Sequence, residues 1–204
     1  MLNNKFSKGV IFSCIAAIFW GLPQPLFFNE LNHVETIEVV AHRGFWSFIF
    51  LFLLLILISN ISDFIEIFKS RKKIFILTIT AFLIAGNWAG FIYSVGQERV
   101  QDASMGYFIT PMISIVLGYF FLNEKITKPK FASVCLMFSG ILFLFINLNQ
   151  FPFLIIWIGT SWAIYGLLRK QVNVNPPIGL LYETFIISLI SVSYTHLRAH
   201  ETRL

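Results

Sequence analysis

His42 and Arg43 stand side by side inside a long apolar stretch, shortly after Glu38. Ionisable groups within a hydrocarbon layer are costly, and where they occur they usually serve function. Glu38 and His42 are four residues apart and share a face if the stretch is helical. Glu38 is close enough to the end of the stretch to meet water and is read as interfacial. His42-Arg43 lies deeper, followed by Gly44 and aromatic residues. A cation and an imidazole at that depth suit a cavity wall that holds an anionic or aromatic solute group. Glu183 is embedded in a later apolar stretch. A buried carboxylate resists ionisation and could take up and release a proton as its surroundings change. Its structural alternative is an ion pair with Arg43. Asn87 and Trp88 lie in Gly86-Asn87-Trp88-Ala89-Gly90. The two glycines permit close helix contact, and Asn87 is either an interhelical link or a solute contact. Tyr107 and Pro111 belong to Ala103-Ser104-Met105-Gly106-Tyr107-Phe108-Ile109-Thr110-Pro111. A proline inside a helix frees a carbonyl and bends the chain. Pro23 and Pro25, with Gln24 between them, are expected to do the same just after Trp20. The candidate substrate-binding set is therefore Trp20, His42, Arg43, Asn87, Trp88, Tyr107, Pro111 and Glu183.

The elements that position these groups follow from composition. Hydrophobic residues make up 57% of the 204 residues and charged residues 12%. A soluble domain carries about 25% charge, and no single core could bury so much apolar surface. Lipid must therefore contact the outer faces. Apolar segments run roughly over 9–28, 39–58, 74–96, 103–122, 131–147, 153–168 and 178–192. They are continuous rather than alternating, which excludes an outer-membrane barrel. Backbone groups in lipid must satisfy one another, so the segments are helices. The fold class is all-α, a polytopic membrane protein. The longer link 59–73, with Phe64, Ile65 and Phe68 beside Lys69, Arg71, Lys72 and Lys73, predicts a short helix at the membrane surface. Lys5 and Lys8 precede an apolar run without a small-x-small cleavage site, so that run is kept as a helix and not a signal peptide.

Charge placement gives orientation. Lys5, Lys8, Lys69, Arg71, Lys72, Lys73, Lys125, Lys128, Lys130, Arg169 and Lys170 fall on one side of the membrane, and Arg99 falls on the other. The positive-inside rule then places the N-terminus in the cytoplasm. The net charge of +5 is gathered in these short clusters and forms no stripe along which a phosphate backbone could lie, so nucleic acid is not an expected partner. Cys14 and Cys135 lie in apolar runs and read as small core hydrophobes, with neither metal-site spacing nor a disulfide framework.

The chain also repeats itself. Phe19-Trp20-Gly21-Leu22 is echoed by Ile164-Tyr165-Gly166-Leu167, and His42-Arg43 by Tyr182-Glu183. Each copy holds five helices, an odd number, so the second copy enters the membrane inverted. The link after the first helix has no Lys or Arg, whereas that after the sixth has Arg169 and Lys170, as inversion requires. Inverted repeats are a common construction of secondary transporters. The first repeat is placed at 1–148 and the start of a second at 149–192. Residues 193–204 turn abruptly polar and resemble translated adapter sequence, so they are expected to be foreign. Only about 15 apolar residues of the seventh helix precede them, short of the ~20 needed for a span.

Together, Phe19-Trp20-Gly21, Ala41-His42-Arg43-Gly44-Phe45-Trp46-Ser47, Gly86-Asn87-Trp88, the Ala103–Pro111 segment, Phe120 with Leu122-Asn123-Glu124-Lys125, Tyr165–Lys170 and Glu183-Thr184 resemble RarD-type proteins of the EamA group, in the drug/metabolite transporter superfamily. The resemblance runs from about Lys8 to Ser188. It implies ten helices in two inverted five-helix repeats, of which this chain holds six and a half to seven. It also implies a permease of a bacterial inner membrane, in a group linked to chloramphenicol sensitivity.

The expected activity is alternating-access transport of a small metabolite or drug, without a cofactor. The alternative is a non-transporting membrane subunit or an inactive truncated fragment. Expected partners are the solute, the lipid bilayer and, for assembly, a second copy of the chain. An enzyme is not expected: the sequence has no Walker loop, no His-Glu-x-x-His and no Gly-x-Ser-x-Gly.

Overall fold

Long apolar runs become helices in lipid, and the residues that punctuate them set where each helix starts and stops. In the computed structural model, which describes residues 4–57, 61–146 and 152–201, the order is α1 (Asn4–Gly21), α2 (Pro23–Glu30), α3 (Thr36–Leu57), α4 (Ile61–Ile67), α5 (Arg71–Gly96), α6 (Val100–Leu122), α7 (Lys128–Ile146), α8 (Phe153–Val172) and α9 (Pro176–Glu201). Pro23 sits at the start of α2, so the first apolar run is broken at Leu22. Ser70 caps α5 by accepting the Lys73 amide. Asn123 and Asn173 end α6 and α8 in the left-handed conformation, which asparagine tolerates better than most residues. α6 continues unbroken through Pro111.

Six stretches among the described residues are long and apolar enough to cross a membrane: Ser7–Glu30, Thr36–Leu57, Arg71–Gly96, Val100–Leu122, Lys128–Ile146 and Pro176–Ser193. One expectation is corrected by this. The last stretch reaches 18 residues, because the helix begins at Pro176, ahead of the apolar run proper. α8, a full helix of 20 residues, covers the expected sixth segment and carries Thr160, Ser161, Arg169 and Lys170 along it.

α5 and α8 form the centre. α8 packs against both α5 and α6, and α9 packs against α3 and α5. Half of the α5 and α9 spans is buried, whereas nothing in the α1 or α7 spans is. Cys14 and Cys135, on α1 and α7, are accordingly exposed and not in the core as the sequence suggested. Close crossings depend on glycine. A Cβ on Gly159 of α8 would lie 2.7 Å from the Gly106 carbonyl oxygen of α6, and one on Gly86 of α5 would lie 2.8 Å from the Trp157 ring. The expected close contact through the Gly86–Gly90 motif is therefore present, with Trp157 of α8 as the partner.

Two apolar clusters hold the bundle. One joins Phe28, Val40, Ile84, Trp88, Phe91, Ile158 and Ile187. The other joins Leu55, Ile67, Leu77, Val172, Ile178 and Leu181. α4 contributes to the second cluster through Ile67, and its Phe64 ring meets Phe185 of α9, so the predicted surface helix is partly packed into the protein. Along α5, α8 and α9, polar residues fall between the two clusters: Thr80, Ser161, Tyr165, Glu183 and Thr184. The expected repeat boundary at 148–149 lies outside the described residues, and of the suspected foreign tail the backbone is described only as far as Glu201.

Candidate functional site

α3 presents Arg43 to the interior seven residues after its start. The guanidinium carbon lies 4.1 Å from the Trp88 ring centroid and 5.6 Å from that of Phe28. A cation over an aromatic face is attracted by the ring quadrupole, more strongly when water is excluded. Among the described residues no carboxylate lies within ion-pairing distance of Arg43. The alternative pairing with Glu183 is not formed, because α8 supplies that carboxylate with a different cation. His42 is exposed and stands between two cavities. The larger, about 770 Å³, is shared with Arg43, Gln24, Phe27 and Trp46.

Trp20, at the end of α1, belongs to an aromatic array drawn from four helices. Its ring meets Tyr107 edge-on at 4.6 Å, stacks on Phe91 at 5.9 Å and lies 6.5 Å from Trp162. Trp162 in turn stacks on Tyr165 at 5.1 Å. Behind the array sits Asn87, 1% exposed. Its amide nitrogen donates to the Ile158 carbonyl and to Ser161 Oγ, both at 2.9 Å, and its oxygen accepts from the Tyr107 hydroxyl at 3.0 Å. All these bonds stay inside the bundle, tying α5 to α8 and α6. Of the two roles open to Asn87, the structure displays the interhelical link. Pro111 is exposed on α6 and is not brought to this array. Its neighbour Thr110 tethers α6 to α8 through the Gly159 carbonyl, at 3.4 Å.

Glu183 is fully buried on α9. Thr80 Oγ1 donates to its Oε1 at 2.7 Å, and the Tyr165 hydroxyl donates to its Oε2 at 3.1 Å. Arg169 Nε lies 3.6 Å from Oε1. Three helices therefore meet at one carboxylate. The guanidinium of Arg169 rests against Gly179, where any Cβ would collide with it, and its Nη2 donates to the Pro176 carbonyl at 3.2 Å. Isolated charges in hydrocarbon cost a few kcal/mol or more, and the hydroxyls and the cation offset that cost here.

Of the sequence-derived set, Tyr107 touches both Trp20 and Asn87, Trp88 meets Arg43, which reaches the array by way of Phe28 and Phe91, and Glu183 is linked to it through Tyr165 and Trp162. Arg169, Thr80, Tyr165, Trp162 and Ser161 were not in that set. Arg169 was counted with the basic residues of the membrane surface, yet its side chain is 11% exposed. A signal existed: Ser161, Tyr165 and Arg169 recur every four residues and so mark one face of α8. Thr80 and Asn87 are likewise two turns apart on α5.

Helices of membrane-crossing length, with aromatic and polar side chains gathered on the inner ones, define a polytopic membrane protein. Residues 7–146 match the EamA-like transporter family. The chain belongs to that family, as the sequence motifs implied. It is 33% identical to the RarD protein of Escherichia coli over 92% of its length and 63% of the relative's. It is 33% identical to an uncharacterized transporter of Vibrio cholerae, covering 88% of this chain and 59% of that one. It is 30% identical to the uncharacterized transporter YojE of Bacillus subtilis, over 98% and 68% respectively. The chain thus spans about six-tenths of the length of the curated relatives it matches. No solved structure matches it. The RarD-type resemblance is borne out, and with six apolar spans and bacterial relatives the chain is a multi-pass protein of a bacterial inner membrane.

Proposed function

We propose that this chain is the front part of a secondary permease that moves a small solute by alternating access. Two inverted repeats, the first at 1–148 and the second beginning at 149, rock about a cavity near the membrane midplane. The family match over 7–146 supports that division. So does the packing of α3 on α9, the second helices of the two copies, which a two-fold between repeats would bring together. The N-terminus is cytoplasmic, a reading supported by the basic residues gathered at one end of the helices.

One observation carries the reading. Trp20, Tyr107, Trp162 and Tyr165 leave part of each ring uncovered, although the polar groups behind them are buried. Aromatic surface backed by satisfied polar groups suits a solute-lined passage. Trp20, His42, Arg43, Asn87, Trp88, Tyr107, Pro111 and Glu183 remain the set proposed to bind or position the solute. Energy comes from a proton or a counter-solute. The rival reading is a membrane subunit that transports nothing. The test is uptake and efflux of a panel of labelled metabolites and drugs by vesicles containing the full-length protein. Movement above that of empty vesicles, lost in Trp20→Ala, supports the permease; equal rates in protein-containing and empty vesicles favour the subunit.

A further inference from the structure

The structure assigns to the Arg43 cavity a substrate class: a small carboxylate carried on an apolar, aromatic-sized body. The assignment rests on the permease reading and deepens it.

Four features converge on it. The cavity holds about 770 Å³, within the range of roughly 300–1,000 Å³ typical of small-molecule sites. Its walls are mostly apolar, with the rings of Phe19, Phe27, Phe28 and Trp46 among them. Arg43 is a half-buried cation whose described neighbours are two ring faces and no carboxylate. Glu183, by contrast, has a cation beside it. Finally, Gln24 lines the same cavity, and its buried Oε1 has no hydrogen-bond partner among the described residues.

Each feature constrains the occupant. An unmatched guanidinium between ring faces attracts an anion and repels a cation, and its fork of N–H donors fits a carboxylate in two-point fashion. Ring walls favour a flat or bulky apolar body over a hydrated ion. Turned into the cavity, the unpartnered Gln24 amide oxygen would accept a hydrogen bond from a ligand N–H or O–H near the carboxylate. A zwitterionic or acidic aromatic compound meets all three conditions; an alkylammonium compound places its charge against Arg43.

The test uses purified full-length protein and three probes with one ring system: indole-3-acetate, indole-3-acetamide and tryptamine. Binding is measured by calorimetry. The acid is expected to bind about tenfold tighter than the amide or the amine, the difference one charge-assisted contact provides. Arg43→Gln should erase that preference. Arg43→Lys, which keeps the charge, should retain much of it and shows that a loss in Arg43→Gln is not misfolding. Tryptamine binding as tightly as the acid, an unchanged preference in Arg43→Gln, or no binding of the acid would each overturn the assignment. The permease reading fails separately: binding with this preference but no movement of the acid across vesicles keeps the site and removes the transport.

Discussion

Arg169 reaches Glu183 across the α8–α9 interface, with Nε 3.6 Å from Oε1 and the glutamate side chain wholly buried. The approach is possible because Gly179, one helical turn before Glu183, has no side chain in the way of the guanidinium. A cation from the basic end of α8 is thus folded inward to serve a carboxylate in the middle of the bundle.

Removing the cation should be costly. Arg169→Leu leaves Glu183 unpaired and is expected to lower stability by about 3–5 kcal/mol. Glu183→Gln should cost less, because the Arg169 stem can extend toward the membrane surface. Gly179→Ala should act through Arg169, so its effect should largely vanish when added to Arg169→Leu. Thermal unfolding in detergent reads all of these, and additive losses would show that the glycine does not hold the guanidinium.

Asn87→Leu strands the Tyr107 hydroxyl and removes the amide donor to the Ile158 carbonyl and Ser161 Oγ. The expected loss is about 1–3 kcal/mol. Tyr107→Phe removes a single bond and should cost about 1 kcal/mol. If Asn87 were chiefly a solute contact, both variants would unfold like the parent and differ only in transport.

Gly159→Val should separate α6 from α8, since even a Cβ would meet the Gly106 carbonyl oxygen at 2.7 Å. Overpacking of this kind costs about 1–3 kcal/mol. Gly140→Val, on α7 with open space around it, is the matched control and should leave the unfolding temperature unchanged.

At the surface, Lys170 pairs with Glu124 and holds that carboxyl below its ordinary value of 4.5. A lowered value in the folded state means the pair stabilises above 4.5 and ceases to do so as pH falls through the lower folded value. Glu124→Gln should therefore be slightly destabilising at neutral pH and neutral in strong acid. The pair is solvent-exposed, so added salt should shrink the difference. A penalty that persists in acid would point to some role other than charge.

His42→Ala and Arg43→Ala in the full-length protein should each abolish transport and leave membrane insertion intact. Vesicle uptake, with protease protection to report insertion, checks both. Undiminished transport in both variants would remove them from the site.

Much of the site was legible in residue types. An arginine, an asparagine and a glutamate within apolar runs are conspicuous, and each proved to be an organising centre. Their partners were less so. Thr80 and Tyr165 are ordinary residues of membrane helices, and Arg169 carries the signature of a surface charge. Its inward turn depends on a missing side chain on another helix, which no property of α8 reveals. α8 itself was read as an apolar span like the rest, yet it also carries a polar face that bonds to Asn87 of α5 and Glu183 of α9.

The amino-acid sequence by itself determined the solvent, the helices and the family. These depend on how many apolar residues follow one another and on a handful of short motifs, all properties of neighbours along the chain. Only the tertiary structure decided that Glu183 takes Arg169 and not Arg43, and that Arg43 faces rings. Each residue turns a helix by about 100°, so spacing tells which side chains share a face. Which helix that face meets is set by packing between helices, through contacts such as Gly159 on Gly106 that lie far apart in the chain.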